Sequence, residues 1–246
     1  MSFSKTFHRP PAARSPSKIN NYIIDHIVNN QYNTYIQTNG NGVNNMKKHQ
    51  KTELTVSRIL EAAMSEFGKN GYAGGTINNI CKAGINKGLL YHNFSGKDEL
   101  YLTCLRLSCE KLMEYLREHS GTETPEKYLS ARMDFFNEHP EEAHIFFEAL
   151  LDPPAQLSEE TGAALSGFNE LNEEMYVRTL DGVILRDGIS REDALSYFHL
   201  MQLMLNGYFS SPAFQYTEPQ KKVELHETAV SKLLDCMLYG IAKEKK

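Results

Sequence analysis

The residues best suited to chemistry lie between Thr76 and Lys97, and their chemistry is recognition rather than bond-making. A short helix that enters a DNA major groove, about 12 Å wide, needs small or hydrogen-bonding groups on its exposed face. Asn86, Lys87 and Gly88 supply them in sequence. Gly88 lets a backbone come close, Lys87 reaches a guanine edge or a phosphate, and Leu89 meets a thymine methyl group. Tyr91 and His92 come next, each with a polar group able to donate to a phosphate. Thr76, at the tip of the preceding helix, offers a hydroxyl and backbone N–H groups to a phosphate, and Asn78 lies one turn in, within reach of a base. Lys97 adds a further phosphate contact, and Lys47, Lys48 and Lys51 form a basic lead-in. Leu90 and Phe94 read as core.

Catalytic patterns fare poorly. His139-Pro140-Glu141-Glu142-Ala143-His144 has the residues of a metal motif, but its histidines are five apart and face different ways, and Pro140 divides them between two helices. The chain has no nucleophile elbow, no Walker A loop and no dinucleotide-binding glycine pattern. No enzyme, metal or cofactor is expected.

Helices must position the recognition residues. The first begins after Thr52 and carries Leu54, Val56, Ile59, Leu60, Ala63, Met64 and Phe67 as an apolar stripe, closing at Gly71. Thr76 caps a second helix that ends at Gly84, and Asn86 caps a short third. Ser95-Gly96-Lys97-Asp98 approximates a capping box and opens a fourth helix over 97–119. Thr124-Pro125 opens a fifth to Asn137 and Pro140 a sixth to Leu151. A seventh runs from Ser158 to about Arg186, an eighth from the box Ser190-Arg191-Glu192-Asp193 to Phe209, and a ninth from Pro219 to about Ala242. No strand pattern is visible.

Helix, turn around Gly84, helix is a helix-turn-helix arrangement. The stretch Ile59-Leu60-Glu61-Ala62-Ala63, Phe67, Gly71-Tyr72, Thr76-Ile77-Asn78-Asn79-Ile80, Ala83-Gly84-Ile85-Asn86-Lys87-Gly88-Leu89-Leu90-Tyr91-His92-Asn93-Phe94 and Lys97-Asp98-Glu99-Leu100 resembles the N-terminal domain of TetR-type transcriptional regulators. The resemblance covers about 50 residues; beyond them the chain matches the family only as a helical body of suitable size. It implies an all-α fold: a three-helix DNA-binding domain at 47–106, then a helical effector-binding and dimerisation domain at 107–246. It further implies a homodimer on a palindromic double-stranded operator, released by an unknown small molecule. One departure stands out: Ile80-Cys81-Lys82-Ala83-Gly84 is one residue short before the glycine. A lost residue rotates the downstream side chains by about 100° on a helix. Gly75 also stands where a polar cap is common. The alternative reading is therefore a protein–protein adaptor that kept the fold while its DNA binding weakened.

Charge supports the division. The 246 residues carry a net −5, but residues 47–106 hold nine Lys/Arg against five acids, and residues 107–246 hold thirteen against twenty-five. A basic head on an acidic body directs any polyanion to the head. Residues 1–46 carry four Lys/Arg and one acid, with nine asparagines between Ile19 and Asn45, and no helical or strand period holds there. The segment reads as disordered. A sharper expectation makes Met46 the native start, leaving 201 residues. No apolar run approaches the roughly 20 residues of a membrane helix, and four cysteines without a CxxC pair suit buried thiols in a reducing cytoplasm.

In the body, Met113, Met133, Phe136, Phe147, Met175, Tyr176 and Phe198 are candidates for an effector pocket, with plain core as the competing reading. Phe198, Met201, Leu205 and Tyr208 of the eighth helix and Val230, Leu234, Met237 and Leu238 of the ninth are candidates for a four-helix dimer interface, with intramolecular core again the alternative.

Overall fold

The computed structural model describes residues 44–119 and 124–245, and contains nine α-helices among them. These are α1 (Asn44–Gly74), α2 (Ile77–Cys81), α3 (Lys87–Asn93), α4 (Lys97–His119), α5 (Pro125–Glu138), α6 (Pro140–Leu151), α7 (Ser158–Asp181), α8 (Arg191–Phe209) and α9 (Pro219–Ile241). Residues 1–43, most of the expected disordered arm, lie outside the described residues, whereas residues 44–46 are helical. The chain falls into two units, Met1–Arg58 and Ile59–Lys246. The described part of the first is the opening of α1; the rest of α1 and helices α2 to α9 belong to the second.

Local chemistry accounts for the helix ends. The Thr76 side chain accepts from the Asn79 N–H, the Thr124 side chain from Lys127 N–H, and Ser190 forms a reciprocal box with Asp193. The α4 box differs from expectation in its partner. Glu99, not Asp98, reaches back to the Ser95 N–H and hydroxyl (2.6 and 2.7 Å), while Asp98 accepts from the Tyr72 hydroxyl. Helix α1 starts earlier than its apolar stripe does, because Lys47 to Lys51 contain no helix breaker. It is interrupted at Gly71, whose φ of 64° is the left-handed region that glycine enters freely.

Two small departures occur after α7. The helix ends at Asp181, not Arg186, and Val183–Leu185 forms a strand β1 paired antiparallel with β2 (Ala242–Lys245). Val183-Ile184-Leu185 is a β-favouring run placed just beyond Gly182, so helix propensity loses there. The expectation of no strand is corrected to this one short ribbon.

The core of the second unit is aromatic and aliphatic. Phe136, Phe146, Phe147 and Phe168 meet edge to face or tilted, at 4.9–5.5 Å between centroids. One polar cluster lies inside it. Arg132 of α5, 2 % exposed, donates to Glu227 of α9 at 2.7 Å and lies 5.2 Å from the Phe168 ring. The Tyr128 hydroxyl donates to Asn172 Oδ1 (2.7 Å), and His226 sits between Glu227 Oε1 (3.1 Å) and Asn206 Oδ1 (3.0 Å). Cys104 and Cys109 are buried, Cys81 is half-buried and Cys236 is exposed, all as free thiols. Among the described residues no helix is long and apolar enough to cross a membrane.

Candidate nucleic-acid interface

Helices α2 and α3 stand on α1 and α4 through a small core of Ile59, Phe67, Ile80, Leu90, Phe94 and Leu100, all buried. With Ile80 and Leu90 turned inward, the opposite faces of α2 and α3 are left to solvent. Thr76, Asn78, Asn86, Lys87, Gly88, Leu89, Tyr91 and His92 are all exposed, and Lys97 is half-exposed. Leu89 and Tyr91 are large side chains held 48 % and 50 % open, exposed where core packing would have covered them.

Several of these groups are preset. Asn86 Oδ1 accepts from the Gly88 and Leu89 N–H groups (2.8 and 3.2 Å), so its oxygen caps α3 and its amide nitrogen is left to donate elsewhere. A Cβ on Gly88 would lie 3.1 Å from that oxygen, so the glycine makes room for the cap as well as for a close backbone approach. Lys87 Nζ donates to Asn78 Oδ1 (3.1 Å), joining the start of α3 to α2. Thr76 Oγ1 accepts from Asn79 N–H, which leaves its hydroxyl proton for an acceptor outside the protein. Lys97 Nζ lies 4.2 Å above the Tyr72 ring, a cation–π contact that holds the ammonium at the start of α4.

Two sequence departures find a physical account. Gly75 cannot be a polar cap: a Cβ there would lie 2.6 Å from Phe67 Cδ1 and 2.9 Å from the Gly71 carbonyl oxygen. Glu66 of α1 takes over, accepting from Thr76 N–H (3.0 Å) and Asn79 Nδ2 (2.9 Å) and so placing a carboxylate at the N-terminus of α2. The one-residue shortening falls at a tight turn. Helix α2 stops at Cys81, whose carbonyl accepts from both the Gly84 and Ile85 N–H groups (3.2 Å each), and Gly84 reverses the chain at φ 80°. Sequence reasoning overlooked Glu66, although its spacing from Asn79 placed a carboxylate within reach of the helix start.

Four of the seven candidate pocket residues meet in two pairs. Phe136 and Phe147 are buried 5.0 Å apart, and Tyr176 stacks on Phe198 at 4.8 Å. Met175 is buried, while Met113 and Met133 are half-buried. The candidate dimer residues are placed differently from the expectation. Phe198, Met201, Leu205, Val230, Leu234 and Leu238 are buried within this chain, Met237 is half-buried, and Tyr208 alone of the eight is open. The outward stripe is the neighbouring one, with Leu200, Leu203, Met204 and Tyr208 on α8 and Leu225, Leu233 and Tyr239 on α9. The histidines of the would-be metal motif are accounted for structurally: His139 precedes α6 and packs on Phe135, and His144 Nδ1 meets the Gly68 carbonyl.

Comparisons with known proteins agree with this geometry. The family described as bacterial regulatory proteins, tetR family, matches residues 59–104. The HTH-type transcriptional repressor SCO4008 of Streptomyces coelicolor is 30 % identical over 142 residues, which is 56 % of this chain and 67 % of that protein. The HTH-type transcriptional repressor AcnR of Corynebacterium diphtheriae is 32 % identical over 82 residues, 32 % of this chain and 43 % of AcnR, so the match spans less than half of that relative. A solved TetR family transcriptional regulator from Chloroflexus aurantiacus shares the fold, with a TM-score of 0.50 and 22 % identity over 78 % of this chain and 95 % of that one.

Proposed function

The chain belongs to the TetR family of bacterial regulatory proteins, and on that premise we propose that it is a dimeric, sequence-specific DNA-binding repressor released by a small molecule. The observation that carries the reading is the exposed face of α2 and α3. Thr76, Asn78, Asn86, Lys87, Leu89, Tyr91 and His92 stand open there and none of them is a carboxylate, although Glu66 of α1 accepts from the Thr76 N–H at the start of α2. Lys87 and Leu89 address base edges; Thr76, Tyr91, His92 and Lys97 address phosphates. Residues 47–106 act as the reading head and residues 107–246 as the regulatory body, with α4 running unbroken across the join. A regulator of chromosomal genes would work in the cytoplasm. The adaptor alternative gains nothing from the relatives, which are named as repressors.

The wild-type protein is expected to select a palindromic duplex from a random pool. Its affinity should then fall steeply between low and moderate salt, because each phosphate contact releases a counterion. Salt-independent or sequence-indifferent association would overturn the reading.

A second copy of the chain is the proposed partner for the outward face of α8 and α9. Leu203 and Met204 are 70 % and 66 % exposed in the single chain, and Tyr208 and Tyr239 are similarly open. A four-helix contact would bury them and set two recognition helices about one helical turn of DNA apart. Leu203→Glu should convert a dimer to a monomer in sedimentation and abolish tight operator binding. A wild-type monomer would remove the palindrome from the argument. The effector is proposed to enter among α4, α5, α6, α7 and α8, beside Met113, Met133, Phe136, Phe147, Met175, Tyr176 and Phe198. It would act by favouring a conformer whose recognition helices no longer match successive grooves.

A further inference from the structure

The end of α1 is tied to one face of α6 by three contacts, each joining residues 76 positions apart. Ser65 Oγ donates to Glu141 Oε1 at 3.1 Å. His144 Nδ1 lies 2.6 Å from the Gly68 carbonyl oxygen. The Tyr72 N–H donates to both oxygens of Glu148, at 2.8 and 2.9 Å. The constant offset means that the two segments advance side by side in one direction, with i, i+3, i+7 positions of each in register. The approach is close. A Cβ on Gly68 would lie 2.5 Å from Glu141 Cβ and 2.7 Å from its Cα, and a Cβ on Gly71 would lie 2.6 Å from Glu148 Oε1.

Glu148 occupies a place where a negative charge is disfavoured. It is half-buried against the Tyr72 N–H, just past the interruption of α1 at Gly71. Burial pushes its carboxyl above the usual carboxylate range, opposed by the Tyr72 N–H, the Tyr101 hydroxyl of α4 and His144, and reinforced by Asp152. Its grip falls on a residue that borders the DNA face. The Tyr72 hydroxyl donates to Asp98 (2.6 Å) and accepts from Gln156 (2.7 Å), and its ring carries Lys97.

We propose that Glu148 is a positioning residue for DNA reading: by holding the Tyr72 amide it fixes where α1 ends and, through Tyr72, where Lys97 stands against a phosphate. The proposal rests on the DNA-binding reading above, and its test separates the two. Glu148→Gln preserves the shape, keeps one acceptor for Tyr72 and removes a charge that the site disfavours. The thermal midpoint is therefore expected to stay level or rise. Affinity for the duplex that the wild type selects from a random pool should nevertheless fall, on the order of tenfold. Hydrogen exchange at the Tyr72 amide should quicken in the variant. Unchanged affinity would overturn the proposal and leave the DNA-binding reading intact. Affinity and thermal midpoint falling together would also overturn it, since Glu148 would then be a structural group only. A wild type that selects no duplex overturns the underlying reading, and this proposal with it.

Discussion

Glu227→Ala should lower the stability of the folded chain by about 3–5 kcal/mol, the cost of stranding a buried charge whose partner is gone. The stranded group is Arg132, enclosed by Tyr128 and Phe168 and held to Glu227 at 2.7 Å. Urea unfolding at neutral pH reads the loss directly. Replacing both partners by leucine should recover much of it, because two apolar side chains satisfy each other where one charge cannot. The pair also predicts the acid limb of the stability profile. Burial alone would raise the Glu227 carboxyl, but the Arg132 charge and then the His226 hydrogen bond hold it below the usual carboxylate range. Its contribution is thus fully present above the unfolded value of about 4.3 and is lost as pH falls through the lower folded value. The double leucine variant should lack that share of the acid sensitivity. A Glu227→Ala protein as stable as the wild type would show that the core tolerates a lone guanidinium, against expectation.

The other large effect is on recognition. Lys87→Ala should weaken operator binding by about 1–3 kcal/mol while leaving thermal stability within about 0.5 kcal/mol, since the side chain is exposed and its bond to Asn78 lies at the surface. The manner of the loss identifies the contact. If Lys87 reads a guanine edge, discrimination relaxes at one base pair and the salt slope barely moves. If it meets a phosphate, all sequences weaken alike and the slope drops by about one. Binding unchanged at every salt concentration would take Lys87 out of the interface.

Helix ends were legible in the sequence because capping is local. Thr76, Asn86, Thr124 and Ser190 act on neighbours two or three residues away, and each stands where it was expected. Which side of α2 and α3 is exposed was legible for the same reason: Leu90 and Phe94 point to the core, so their neighbours must point out. Faces set by distant packing were not. On α8 both Phe198-Met201-Leu205 and Leu200-Leu203-Met204 are apolar stripes, and periodicity alone does not say which the chain keeps for itself. The Arg132–Glu227 pair was invisible because charged residues are ordinarily surface residues, and these two are 95 positions apart. The bond between Glu148 and Tyr72 was hidden likewise, since a single chain shows no offset of 76 until the helices are laid together.

The four thiols differ in a way that matters at the bench. A thiol reacts as its thiolate and only where a reagent can reach it. Cys104 and Cys109 fail on both counts, burial pushing the Cys109 thiol up to about 12 and Cys104 higher still. Cys81 is half-covered, so the exposed Cys236 stands first for a maleimide dye. That address lies on α9 between Leu233 and Tyr239, on the face proposed to meet a second copy of the chain. The native sequence thus carries its own attachment point for a fluorophore, placed where the arrival of another subunit would change the light it emits.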